Sequence, residues 1–234
     1  MKTIKILFAT ATLSLGLFTA TGANAGLISA LGGQVVNDTD RNIVWLANAN
    51  LAATNTFGVS GINANGTMSW FTAQNWIGAM NTANYLGYND WRLPTTLQPD
   101  PSCSFQVNAG PPFGNQGVGL NCTGSEMGHL FYNELGGTAG SSILTSGDPD
   151  LGLFSNLHSN FYWSGTEYAL NTNGAWDLSF DDGFQITGNK VNSLYALAVR
   201  PGQVSAVPEP GSALLLGIGL LGLLGVARRR LALR

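Results

Sequence analysis

The sequence predicts an α+β domain with a mostly antiparallel sheet and two helices, set between two hydrophobic terminal segments. Three observations predict it. Apolar and polar residues alternate in short segments near the start and end of the middle region. Between those segments, apolar residues recur at intervals of three and four. Both ends of the chain carry apolar runs flanked by basic residues.

Taken in chain order, residues 1–25 read as a secretory leader. Lys2 and Lys5 precede the apolar run Ile6–Ala20, and Ala23-Asn24-Ala25 supplies a small-x-small cleavage pattern, with scission expected after Ala25. The body, 26–206, is long enough for one domain with a sizeable core. Gln34–Asn37 and Ile43–Leu46 flank the turn-prone Asp38-Thr39-Asp40 and predict a hairpin. Ser69 is placed as the N-cap of a helix running to about Leu86, with Gly87 as its stop. Ala73, Trp76, Ile77, Met80, Ala83 and Leu86 would form its buried face. A shorter helix is expected after Ser125, burying Met127, Leu130, Phe131 and Leu135 and stopping at Gly136-Gly137. Glu126 suits its positive N-terminal end. Strands follow at Phe161–Trp163 and Ala175–Phe180; Asp181-Asp182-Gly183 turns the chain into Phe184–Thr187. A last alternating segment contains Tyr195, Leu197 and Val199.

Charge narrows the function classes. Lys2, Lys5, Arg228, Arg229, Arg230 and Arg234 lie at the ends, so the body keeps only Arg41, Arg92, Lys190 and Arg200 against twelve acidic residues, a net charge of −8. A phosphate-backbone binder needs a positive footprint, which excludes nucleic acid as a partner. All six tryptophans lie in the body, as core anchors or as platforms for sugar rings.

The remaining residues, 207–234, form a second address. Pro208-Glu209-Pro210 precedes the apolar stretch Ala213–Ala227, and Arg228-Arg229-Arg230 follows. Fifteen helical residues span ~22 Å, short of the ~30 Å hydrocarbon core, and Ser212 with a snorkelling Arg228 narrows the gap. The arginines would stay cytoplasmic, leaving the body outside. This tail resembles the PEP-CTERM sorting signal of Gram-negative, exopolysaccharide-producing bacteria. The resemblance implies an intermediate anchored in the inner membrane, processing by an exosortase near Pro208-Glu209-Pro210, and delivery to the cell surface or extracellular matrix.

The body carries a resemblance of its own. Asp38…Ile43-Val44-Trp45-Leu46, Asp90-Trp91-Arg92-Leu93-Pro94-Thr95, Phe161-Tyr162-Trp163-Ser164-Gly165-Thr166-Glu167-Tyr168, Ala175-Trp176 and Ala198-Val199-Arg200-Pro201 occur in that order. Together they resemble the Lcl C-terminal domain family, named for a bacterial collagen-like adhesin, over about Val35 to Pro201. The resemblance implies an extracellular module related to the C-type-lectin and formylglycine-generating-enzyme folds, one that binds sulfated glycans in its namesake. That ligand does not transfer, because a body at −8 repels polyanions. Neutral or calcium-bridged polysaccharide stays open.

Among single residues, Cys103 and Cys122 are the only cysteines and bracket a loop rich in Gly, Pro and Asn; export favours a disulfide between them. Glu126 and His129 share a helical face, read as a capping Glu and a surface His in preference to a metal pair. Asp177, Asp181 and Asp182, with Asn171 and Asn173 nearby, offer hard oxygens for calcium, against the simpler reading of an outward strand residue and an Asp-Asp-Gly turn. Arg92 is expected to stack on tryptophan and pair with a buried carboxylate. Asp90, Trp91, Leu93, Pro94, Trp163, Trp176 and Arg200 complete the motif set, read as structural. The sequence thus predicts a non-catalytic matrix or surface module binding glycan through aromatic platforms. The alternatives are a polysaccharide-acting enzyme using carboxylates among Glu167, Asp177, Asp181 and Asp182, and a structural protein without a ligand.

Overall fold

The computed structural model describes residues 26–204. The predicted leader, Pro208-Glu209-Pro210 and Ala213–Ala227 lie outside the described residues. Among the described residues no helix is long and apolar enough to cross a membrane.

The predicted hairpin is present. β1 (Leu27–Ala30), β2 (Val35–Asp38) and β3 (Ile43–Leu46) run antiparallel in succession, with Val36 opposite Trp45 and Asp38 opposite Ile43. Asp38 closes the β2–β3 turn by accepting the Arg41 N–H at 2.9 Å. Every residue of β2 and β3 is buried, so both faces of this pair are covered.

The helix α1 (Trp70–Thr82) starts where Ser69 accepts the Thr72 N–H, as the sequence predicts. It buries Ala73, Trp76, Ile77 and Met80. It ends earlier than expected: Asn84 adopts a left-handed φ of 47° and takes the stop assigned to Gly87, leaving Ala83 exposed. The chain then crosses to Trp91, which Asn81 clamps from the last turn. Its Nδ2 donates to the Trp91 carbonyl and its Oδ1 accepts the Trp91 N–H, both at 2.8 Å.

Cys103 and Cys122 are joined by a disulfide, as expected, but the segment they close is ordered as a hairpin, not a plain loop. β4 (Phe105–Asn108) pairs antiparallel with β5 (Asn115–Val118). A strand reading Asn-Gln-Gly-Val carries no alternation to announce it. The next helix, α2 (Glu126–His129), is α-helical for four residues only and continues as a π-turn over Leu130–Glu134, where Leu135 donates back five residues to Leu130. Met127, Leu130, Phe131 and Leu135 are buried, as read from the sequence.

The second sheet comprises β6 (Phe161–Glu167), β7 (Gly174–Ser179) and β8 (Gln185–Asn189), all antiparallel. Asp181-Asp182-Gly183 makes the β7–β8 turn, with Gly183 at a φ of 78° that a side chain would resist. The last alternating segment is a strand only at its end, β9 (Val199–Pro201). The preceding residues join the two sheets instead. Tyr195 exchanges hydrogen bonds with β6, accepting from Trp163 N–H and donating to Phe161. Three residues on, Ala198 accepts from Leu46 of β3. β9 then pairs with β3, completing the sheet order β1-β2-β3-β9. Beyond it, the Asn37 side chain brackets Val204, donating to its carbonyl at 2.7 Å and accepting its N–H at 3.0 Å.

The core between these sheets is rich in indole. Trp45, Trp76, Trp91, Trp163 and Trp176 are all buried. A buried indole N–H needs an acceptor. Trp45 finds Asp38, Trp76 finds Asn55, Trp91 finds Tyr85 and Trp163 finds Met68.

Two stability measurements follow from this architecture. Asn81→Ala removes both contacts to Trp91 and is expected to lower the unfolding free energy by about 2 kcal/mol in urea titration. Reducing Cys103–Cys122 should cost about 3 kcal/mol, since the bridge closes a segment spanning 19 positions.

Candidate functional site

The residues that carry the sequence motifs act as braces. Arg92 and Val199 exchange backbone hydrogen bonds at 2.8 and 2.9 Å, stitching the segment after α1 to β9. Beside this pair Arg200 grips Asp90 through Nε and Nη2 at 2.7 and 3.0 Å and lies 3.9 Å over the Tyr88 ring. The Arg200 guanidinium holds the Asp90 carboxyl below its usual range. The Arg92 guanidinium pairs in fork geometry with Glu126 at 2.7 and 2.6 Å, as expected of a partnered arginine. The expected stacking falls elsewhere: the arginine over an aromatic ring is Arg200 on Tyr88. Leu93 is buried, and the Pro94 carbonyl accepts from Gly165 N–H and the Ser164 hydroxyl, tying the motif to β6.

An opening of about 490 Å³ lies over this region and is lined by Arg41, Thr95, Thr96, Leu97, Gln98, Gly124 and Glu126. Its charged groups are already occupied. Arg41 donates to the Thr123 and Gly124 carbonyls, and Glu126 accepts from Arg92 and from Thr95 N–H.

A different situation holds at β7. Asp177 is buried at 2% exposure, so the outward-facing position expected for it is corrected: both faces of β7 are covered. One carboxyl oxygen, Oδ1, has no hydrogen-bond partner. Burial drives the pKa up to about 8, opposed by the Gly188 N–H, so at neutral pH the carboxyl mostly keeps its proton.

The three aspartates proposed for calcium are not brought together. Among the described residues their oxygens do not converge on one point, and Asp181 lies beyond the end of β7, in the turn. There it accepts from the Ser159 hydroxyl, while Asp182 accepts from Phe184 N–H within its own turn. Glu167 pairs with Lys190, whose ammonium also lies 4.3 Å over Trp70.

Asp177 lines a depression of about 180 Å³ with Phe161, Ile186, Thr187, Gly188, Asn192 and Leu194. A second, of about 150 Å³, shares Thr187 and Gly188 and adds Tyr168, Asn171, Asn173 and Asn189. The two flank β8, the edge strand of its sheet. The arrangement offers apolar walls, amide side chains and one protonated carboxyl able to donate and to accept. Such a set suits hydroxyl groups better than ions. The indole platforms expected from composition are not available, since only Trp70 is partly exposed.

The helical pair Glu126 and His129 is split. Glu126 turns to Arg92, while the π-turn brings Glu134 to within 2.8 Å of His129 Nε2. His129 is half-buried, not a surface residue. Burial pushes its pKa down and pushes that of Glu134 up to about 7. At neutral pH the Glu134 carboxyl is therefore about half protonated, and its contact with His129 is a hydrogen bond more than a full ion pair. Asp38 completes this cluster.

Residues 34–98 match the family model of the Lcl C-terminal domain. Residues 206–230 match that of the PEP-CTERM protein-sorting motif, the mark of an exported chain sorted by an exosortase. No curated protein matches the chain. The Lcl match takes in β2, β3, α1 and the Asp90–Pro94 brace but stops before β6, so Asp177 and both β8 depressions lie beyond it. Thr187, Asn192 and Leu194 were not singled out by sequence. The spacing of Asn171, Asn173, Asn189 and Asn192 around one strand was the available signal.

The raised Asp177 pKa has a measurable consequence. Its folded value exceeds the unfolded one, so its stabilising effect is full below about pH 4 and is lost as pH rises to about 8. Asp177→Asn keeps the shape of the neutral acid. Urea midpoints of variant and parent should agree near pH 4, with the variant increasingly the more stable up to pH 8.

Proposed function

We propose that this chain is an exported, exosortase-sorted surface or matrix module whose body binds a neutral, hydroxyl-rich glycan along the β8 edge. It acts as a binding protein without a catalytic step. The observation that carries this reading is the unpartnered Oδ1 of buried Asp177 in a depression walled by Phe161, Ile186 and Leu194. A buried polar atom without a partner is costly, and a ligand hydroxyl would relieve that cost. Phe161 offers a face to the apolar side of a sugar ring, and Asn192 with Thr187 can complete its hydrogen bonds. The surplus of negative charge on the body favours a neutral polymer over a sulfated one. A C-type-lectin-like body is part of this proposal, supported by the α+β order and the antiparallel sheets. Calcium is not required by it, since the site uses a single protonated carboxyl.

Equilibrium binding of the whole chain, in detergent, to the producing organism's own extracellular polysaccharide tests the reading. Saturable binding is expected, unchanged by EDTA and weakened about tenfold by Phe161→Ala or by Asn192→Ala at the exposed rim. Absence of saturable binding, or binding indifferent to both changes, would overturn it. Loss in EDTA would replace it with a calcium-dependent mode.

A further inference from the structure

Gly26, the first residue of the body, lies against a carboxyl group. A Cβ built on Gly26 would stand 2.1 Å from Glu134 Oε2 and 2.7 Å from both Cδ and Oε1, so a side chain there would have to push the Glu134 carboxyl aside. Two carbons and the nitrogen share one tetrahedral centre, which puts the Gly26 nitrogen within about 4.6 Å of Oε2. The residue is held in place: its carbonyl accepts Thr39 N–H at 2.7 Å and the Thr39 hydroxyl at 3.2 Å, and Leu27 pairs with Asp38 in the sheet. Glu134 is itself buried at 8% exposure.

The charged groups around Glu134 are mostly acidic. Asp38, Asp40 and Asp150 all act to discourage its ionisation, and Arg41 alone favours it. Arg41 is committed to the Thr123 and Gly124 carbonyls, and His129, the direct partner, is held toward its neutral form by burial and by Arg41. While residue 25 remains attached, the nitrogen of Gly26 is a neutral amide. Hydrolysis of the Ala25–Gly26 bond uses one water, leaving a carboxylate on Ala25 and an α-amine on Gly26. That amine is an ammonium at neutral pH, its ordinary pKa being about 7.7–8.0.

We infer that Glu134 is the receptor for the Gly26 α-ammonium created by leader cleavage, so that maturation itself installs the missing cation and locks β1 onto the π-turn. The pair would be a buried one, formed only in the processed chain, and the acidic neighbours Asp38, Asp40 and Asp150 would favour the ammonium as well. Glycine at position 26 then has a physical reason: any larger residue would displace the carboxyl from the nitrogen it binds. This inference rests on export with cleavage after Ala25 but not on glycan binding, so a negative glycan result leaves it standing.

Intact mass and N-terminal sequencing of the exported chain are expected to show Gly26 as the first residue; a different N-terminus overturns the inference. Thermal unfolding of the chain from Gly26 to Arg234, in detergent, is then compared with the same chain acetylated at its α-amine. Acetylation should lower the midpoint by about 3 °C or more at pH 7. In Glu134→Gln, acetylation should make no difference, and NMR titration should show the Gly26 amine falling back from a raised pKa to its ordinary range. Equal midpoints in the parent, or an equal loss in parent and variant, overturn the pairing. Gly26→Ala gives a second readout, with a lowered amine pKa expected even where the chain folds normally.

Discussion

The domain is closed by one strand pairing between distant parts of the chain. β9 adds to β3, and the Arg92 segment adds to β9 through reciprocal backbone bonds with Val199. Residues near 44, 92 and 200 thereby meet in one place, and each has a separate task. Val44 fills the core, Asp90 and Arg200 neutralise each other at the rim, and Arg92 reaches across to Glu126 at the start of α2. Without the β3–β9 pairing, Tyr195 and Ala198 could not hold the two sheets together, because they are the residues leading into it. Brace, ion pairs and core therefore stand or fall together.

Around that closure the protein buries many polar groups, and nearly all are answered. The indole N–H groups of Trp45, Trp76, Trp91 and Trp163 find carbonyls or a carboxylate, and the half-buried Asn81 and Gln98 satisfy backbone atoms of Trp91 and Gly117. Against this background two acids stand out. Asp177 and Glu134 are both pushed upward in pKa chiefly by burial, and each faces a place where something else could arrive. Natural interiors seldom leave a buried carboxyl oxygen without a partner, as Oδ1 of Asp177 is, or a buried acid with only a half-buried histidine to answer it, as Glu134 is.

Much of the fold was legible because its elements carry strong local signals. Ser69 and the Ala73–Met80 spacing announce α1, and Trp176, Leu178 and Phe180 announce β7. The failures have physical causes. Asn84 ended α1 because asparagine tolerates left-handed backbone nearly as well as the glycine three residues later. β4 and β5 were hidden because a disulfide and their mutual pairing organise residues of low strand preference. At the candidate site, Asp177 was noticed by its chemistry but placed on the wrong face. Alternation alone cannot report that a strand is covered on both sides. The Glu134–His129 contact was invisible for a further reason: five-residue spacing meets only where a helix widens into a π-turn.

The Asn37 clamp on Val204 gives the molecule a definite mechanical entry point. Any force transmitted from beyond Val204 reaches the two side-chain bonds of Asn37 first, then the Gln203 side chain on the Asp38 and Ile43 carbonyls and the Gly202 N–H on Asn42, and β9 after them. β9 is the last strand of its sheet and only three residues long, so such a load meets few bonds before the sheet itself. The β8 edge belongs to the other sheet, and a load applied there reaches β9 by two routes, through Tyr195 and Ala198 and through the Pro94 carbonyl on β6 and the Arg92–Val199 pair. Tension between a ligand at β8 and an attachment past Val204 would therefore be shared between residues 195–204 and the Arg92–Pro94 brace, and both routes converge on β9.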